Sequence, residues 1–196
     1  MVDYSRLLTR ISARCRDDEP VVQLPGGLPS PLTQSAIEVA ERRLGFALHP
    51  LLAVVYRDVA NGGFGPDYQL LSLVDGPTTT KAAGEPGTAV DRYIDVRRSN
   101  AGTPWAWPEG VLPILTWGCG MYACVDCRSD RGTVLLFEPN PGDPDAAWYV
   151  DTESLHDWFE HYINNTGWWN KVENGDDPDE MPPWTGAQAG TDTGAS

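Results

Sequence analysis

The sequence predicts helices packed around a single sheet whose centre lies at residues 111–139. Three observations carry this. Val111, Leu112, Ile114 and Leu115, then Tyr122 to Cys127, then Thr133 to Phe137 form three short apolar runs. Each run is broken by Gly, Pro or a Ser-Asp-Arg-Gly turn, which is the punctuation of strands. The stretches on either side instead repeat their apolar residues at helical spacing. A chain of 196 residues suits one domain with a sizeable core.

Taken in order, Asp3 to Arg14 reads as a helix, with Tyr4, Leu7, Leu8 and Ile11 on one stripe. Asp17 to Pro20 ends it, and Val21 to Pro31 reads as extended. Thr33 is a suitable N-cap for a second helix, with Ala36, Ile37, Ala40 and Leu44 as its apolar stripe and Gly45 as its stop. Pro50 opens a third helix that is apolar on most sides and therefore buried. Tyr68 to Val74 reads as a strand, Asp75 to Gly87 as a flexible loop, and Thr88 to Asn100 as a helix.

After a Trp105–Pro108 loop comes the sheet. Arg128 to Gly132 is long enough for a hairpin loop with Gly at positive φ. In the middle run Met121, Ala123, Val125 and Cys127 share one face, small and apolar enough to face the core. Tyr122, Cys124 and Asp126 share the other. Ala147 to Val150 adds a strand. Ser154 can cap a last helix through Ile163, with Leu155, Trp158, Phe159 and Tyr162 on one side. No internal repeat is present.

Charge narrows the partners. Fourteen Lys and Arg stand against 28 Asp and Glu, a net charge of −14. That balance argues against a nucleic-acid or anionic-membrane surface, which needs a basic patch; it permits a basic partner, and it also serves plain solubility. From Glu173 onward there are six acids and no Lys or Arg. This tail has too few apolar residues to offset its ordering entropy, so 173–196 is expected to be disordered. Met1 to Arg14 lacks the apolar core of a signal peptide, and no window reaches the roughly 20 apolar residues of a membrane span. Four Cys without a secretory signal read as reduced thiols. The expectation is a cytoplasmic protein, monomeric when free.

Two stretches together say more than periodicity. LPSPLTQSAIEVAERRLGFALHPLLAVVYRDVANGGFG, residues 28–65, resembles the N-terminal helix pair of the SUKH superfamily, the relatives of the yeast cell-wall-assembly regulator of the Smi–Knr type. LPILTWGCGMYACVDCRSDRGTVLLFEPN, residues 112–140, is similar to the central sheet of that group. Trp148 and SLHDWFEHYI fit its usual ending. The resemblance covers roughly residues 28–163. It implies an α+β fold, a single domain with a bent mixed or antiparallel sheet flanked by helices. It divides the chain into an N-terminal helix and linker at 1–27, a SUKH-like domain at 28–172 and the acidic tail at 173–196. It also implies a non-enzymatic protein-binding module: an immunity protein that binds and neutralises a toxin domain, or a regulatory adaptor of the cell-wall-assembly-regulator type.

The residues themselves leave alternatives. Trp117 and Tyr122, with Trp105, Trp107, Trp168 and Trp169, are either interface anchors or a lid on the core. Asp126 and Glu138 are either turn contacts or an anionic spot for a basic partner; paired carboxylates also do acid–base work, but nothing local fixes their separation. Asn61-Gly62-Gly63 is either a binding loop or a helix C-terminus with a tight turn. Cys124-x-x-Cys127 has a metal-ligand spacing, with Cys119, Cys15, His49, His156 and His161 as further ligands. As strand residues, however, the pair points to opposite faces. No metal, no cofactor and no catalytic residue is expected, with a thiol or carboxylate enzyme as the remaining alternative.

Overall fold

The computed structural model describes residues 3–17, 27–66, 69–75 and 87–186. Most of the extended stretch expected over 21–31, most of the loop expected over 75–87, and residues 187–196 of the tail lie outside the described residues.

Local sequence sets the helices. α1 (Ser5–Asp17) buries Leu7 and Ile11. α2 (Gln34–Leu44) starts where the Thr33 hydroxyl accepts from the Ala36 amide at 3.2 Å, and it stops at Gly45 with φ 84°. α3 (Pro50–Asp58) begins with its proline and buries Leu51, Leu52, Val55 and Tyr56. α4 (Ala89–Ser99) has a full capping box between Thr88 and Asp91. α5 (Leu155–Asn164) is capped by Ser154 and closed by Asn165 at φ 55°. A further helix, α6 (Trp168–Glu173), follows at once; the sequence reading did not place it.

The sheet is an antiparallel meander: β1 (Val111–Gly118), β2 (Met121–Asp126), β3 (Val134–Phe137) and β4 (Trp148–Thr152), in that spatial order. The fold is α+β, and the sheet is antiparallel throughout. Between Pro113 and Leu115 the β1–β2 register shifts, so Ile114 is an extra residue. Its carbonyl turns outward and accepts from the Leu71 amide at 2.8 Å.

Both sheet faces are covered: the Ala123 and Val125 face, as expected, and the Tyr122 and Cys124 face as well. Tyr122, Phe137 and Trp148 stand opposite one another on β2, β3 and β4. Trp107 closes over them, 4.9 Å from Trp148 and 5.0 Å from Phe137 between ring centroids. Its indole N–H reaches the Val111 carbonyl at 2.7 Å, so the loop before β1 folds back as a lid. On the other face Cys127 receives a hydrogen bond from the His49 backbone at the start of α3.

The strand expected over Tyr68–Val74 does not form a ladder among residues 69–74. Their backbone groups bond to helices instead. Ser72 and Leu73 carbonyls accept the Ala89 and Val90 amides at the start of α4, and the Leu71 carbonyl accepts the Tyr56 hydroxyl. The Leu71 amide goes to the sheet, to the Ile114 carbonyl. A segment whose donors and acceptors are already paired has none left for strand partners.

Candidate functional site

The residues singled out in the sequence are mostly absorbed into the architecture. Asn61 is 3 % exposed. Its amide donates to the Val74 carbonyl at 2.6 Å and its oxygen accepts from the Leu73 amide at 2.8 Å. Gly62 adopts φ 77°, and a Cβ there would lie 2.6 Å from the Leu71 oxygen. Gly63 donates to the Leu70 carbonyl. The Asn-Gly-Gly motif therefore clips segment 69–74 against β1 and offers no free loop to a ligand.

Tyr122 is buried between Trp107, Phe137 and the guanidinium of Arg92. It is part of the lid and presents no anchor to a partner. Trp117 is half-buried against Trp168 and Trp169, at 4.8 and 5.6 Å. Trp169 in turn contacts Trp158, so this second aromatic group seals α5 and α6 onto the end of β1. Asp126 is 8 % exposed and grips Arg128 through both carboxylate oxygens, at 2.8 and 3.0 Å, while accepting the Arg128 amide. A buried, neutralised carboxylate makes a poor long-range attractor, so the anionic-spot expectation fails at Asp126. Glu138 accepts from the backbone and side chain of Asn140 and shapes the turn after β3.

The thiols are also placed. Cys124 is fully buried, and burial pushes its thiol well above the usual range. Burial likewise pushes Cys127 up to about 12. A thiol held protonated is neither a ready nucleophile nor a ready metal ligand. Cys119 is exposed at the β1–β2 hairpin tip with φ 50°. Among the described residues no group of three or more His, Cys, Asp or Glu is placed to hold a metal ion.

One feature was not legible beforehand. Asp151 of β4 sits in a cleft of about 140 Å³ between β4, the α5–α6 corner and residues 179–182. One of its oxygens accepts from the indole N–H groups of Trp158 and Trp168, at 3.2 and 3.3 Å; the other accepts from Thr152. Burial raises its carboxyl to about 6, against these hydrogen bonds and the nearby His161, which pull the other way. The two indoles lie 7 and 17 residues further along the chain, so no local motif announces the site.

Residues 174–186 close this cleft and then the sheet. The tail was expected to be disordered from Glu173. Instead the Val150 amide donates to the Pro182 carbonyl and the Trp184 amide to the Trp148 carbonyl, both at 2.9 Å. Trp184 rests on Trp148 with centroids 5.6 Å apart. The sequence cue was Trp184 itself, a large aromatic in an otherwise polar stretch.

Charge is segregated. From Glu138 to Gly186 the chain has twelve acids and one base, Lys171. Asp143, Asp145, Glu153, Asp176 and Asp177 are all exposed. No helix among the described residues is long and apolar enough to cross a membrane.

No curated protein matches the chain at a significant level. The model of the SMI1 / KNR4 family (SUKH-1) matches residues 31–161, from the approach to α2 to within α5. That span holds the Asn-Gly-Gly clip, the bulged β1 and the whole meander, and on it this chain belongs to the SMI1 / KNR4 family (SUKH-1).

Proposed function

We propose that this protein is an immunity-type binding module that neutralises a basic toxin domain by covering it, without chemistry of its own. Family membership supports a protein-interaction module. The charge segregation carries the step to a basic partner: the exposed acids of the β3–β4 loop and the strand–helix turn after β4 stand in a stretch with a single Lys and no Arg. Such a surface raises the encounter rate with a basic protein more than it raises intrinsic affinity. Two placements support a role without catalysis. The buried thiols are held protonated, and Asp126 is locked to Arg128. Half-buried Trp117 and Trp168 add apolar area beside the cleft at Asp151.

The test is co-expression with the product of the adjacent gene, pull-down, and stopped-flow association over a salt series. The expected result is capture of that product, with association slowing steeply as ionic strength rises and dissociation changing little. Asp143→Lys with Asp145→Lys and Glu153→Lys should slow association about tenfold or more. Failure to capture any neighbouring product sinks the immunity reading and favours the regulatory adaptor. Capture with salt-independent association sinks the charge argument.

A further inference from the structure

We propose that the outer edge of β4 is a docking site for a basic, extended segment of the partner, and that residues 174–186 form an acidic strap which the partner displaces. The inference rests on the protein-binding reading above and names the surface used.

β4 is the last strand of the meander, so the amide of Val150 and the carbonyl of Trp148 face outward. An edge of this kind pairs with any extended chain that reaches it. Here it is covered by Pro182 and Trp184, which lie beyond the family match at 31–161. The cover is antiparallel, with Pro183 opposite Tyr149. In that register the N–H that Pro183 lacks would face away from β4, so the strap ends the sheet instead of offering a new edge.

The strap is held at few points. Residues 172–180 are exposed, and Met181, Trp184 and Gly186 are half-buried. Lys171 pairs with Asp179 at 2.6 Å, and Arg128 lies over the Trp184 ring at 5.8 Å. Its charge is unfavourable where it sits. The strap has four acids and no base, and it lies on a strand whose surroundings from Glu138 to Glu160 have seven acids and no Lys or Arg. Arg10 and Arg131 meet Glu160 and Asp157, the β3–β4 loop holds no Lys or Arg, and Lys171, which lines the cleft at Asp151, is already engaged by Asp179. A segment of positive charge with an aromatic at the Trp184 position would make the same two backbone bonds and reverse the sign of the electrostatic contact. Segments with few buried contacts open most readily, so the exchange needs no rearrangement of the core.

The test uses the full chain and a synthetic peptide of residues 176–186 carrying Asp176→Lys, Asp177→Lys and Glu180→Lys, with Asp179 kept as the partner of Lys171. Amide exchange at Val150 reports the edge. In Trp184→Ala, exchange at Val150 should accelerate at least tenfold, and the peptide should bind at least tenfold more tightly than to the unaltered chain and restore protection. Lys171→Gln, which frees Asp179, should shift both readouts in the same direction and serves if Trp184→Ala does not fold. A peptide N-methylated at its tryptophan should lose binding, because it cannot donate to the Trp148 carbonyl. The unsubstituted acidic peptide should bind several-fold more weakly. Unchanged Val150 exchange in both variants, equal binding of the N-methylated peptide, or equal binding of the acidic peptide would each overturn the proposal. The two readings fail separately: peptide docking concerns the edge alone, and toxin capture concerns the immunity role alone.

Discussion

Arg128 grips Asp126 through both carboxylate oxygens and at the same time lays its guanidinium over the ring of Trp184, 5.8 Å from the centroid. A turn residue of the β2–β3 hairpin thus joins a buried carboxylate to the C-terminal strap. Asp126, which the sequence leaves as either a turn contact or an anionic spot for a partner, orients the cation that holds the C-terminal strap.

Removing the strap should therefore cost stability. Truncation after Glu173 deletes two sheet hydrogen bonds and the Trp184–Trp148 contact. Trp184→Ala alone should cost about 1–2 kcal/mol, from lost half-burial and ring packing. Urea melts of the two variants check this. A midpoint unchanged by truncation would show that the strap contributes nothing to the folded state.

The Asn-Gly-Gly clip predicts a larger effect. Asn61→Ala leaves the Leu73 amide and the Val74 carbonyl buried without the partners that Asn61 supplies, at a cost of about 2–4 kcal/mol. Gly62→Ala combines φ 77° with a Cβ 2.6 Å from the Leu71 oxygen and should cost about as much. Chemical denaturation measures both. Changes below about 0.5 kcal/mol, the level of a neutral surface substitution, would mean the clip is not structural and would reopen the binding-loop reading.

Asp151 gives a pH signature. Its carboxyl titrates near 6 when folded, against an ordinary value of 3.8. Between those values the folded protein binds the proton more tightly than the unfolded chain does. The group's contribution to stability is thus fully present below about pH 4 and is lost as pH rises through about 6. Asp157 and Glu160, whose carboxyls are lowered by Ser154 and Arg10, act in the opposite direction at more acid pH. The difference between the stability curves of the unaltered protein and Asp151→Asn isolates the first effect. It should change across pH 4–6 and be flat above 7; a difference that is flat throughout would place the Asp151 titration elsewhere.

The thiols should divide by reactivity. Cys119 is exposed at the hairpin tip, whereas Cys124 and Cys127 are held protonated by burial. In the folded protein a thiol reagent should label Cys119 fast, half-buried Cys127 slowly and Cys124 only on unfolding timescales. Cys119→Ser should remove the fast phase. Prompt labelling of Cys124 would show that the aromatic lid opens readily.

The sequence by itself determined the elements whose signals are local. Thr33 and Gly45 bound α2, Pro50 opens α3, and Ser154 caps α5, because a cap or a fixed φ acts within one turn. The apolar runs of the three central strands and the Arg128–Gly132 turn identified the hairpins, because side-chain alternation and turn chemistry are also short-range. The order of those motifs was enough to point to the family.

Tertiary structure decided what depends on partners distant in the chain. For Asp126 and Asn61 the sequence left a structural and a binding role open, because their type and spacing do not reveal Arg128's second contact or the return of residues 69–74. Residues 69–74 have strand composition but lose the ladder, since Asn61, Tyr56 and the start of α4 take their backbone groups. Residues 182–184 have the composition of a tail but gain a place on the sheet, since the edge of β4 supplies two bonds and Trp148 supplies a surface. Asp151 acquires its raised proton affinity only where two indoles 7 and 17 residues later are folded around it. Burial and edge pairing are properties of the assembled fold, and no window of sequence contains them.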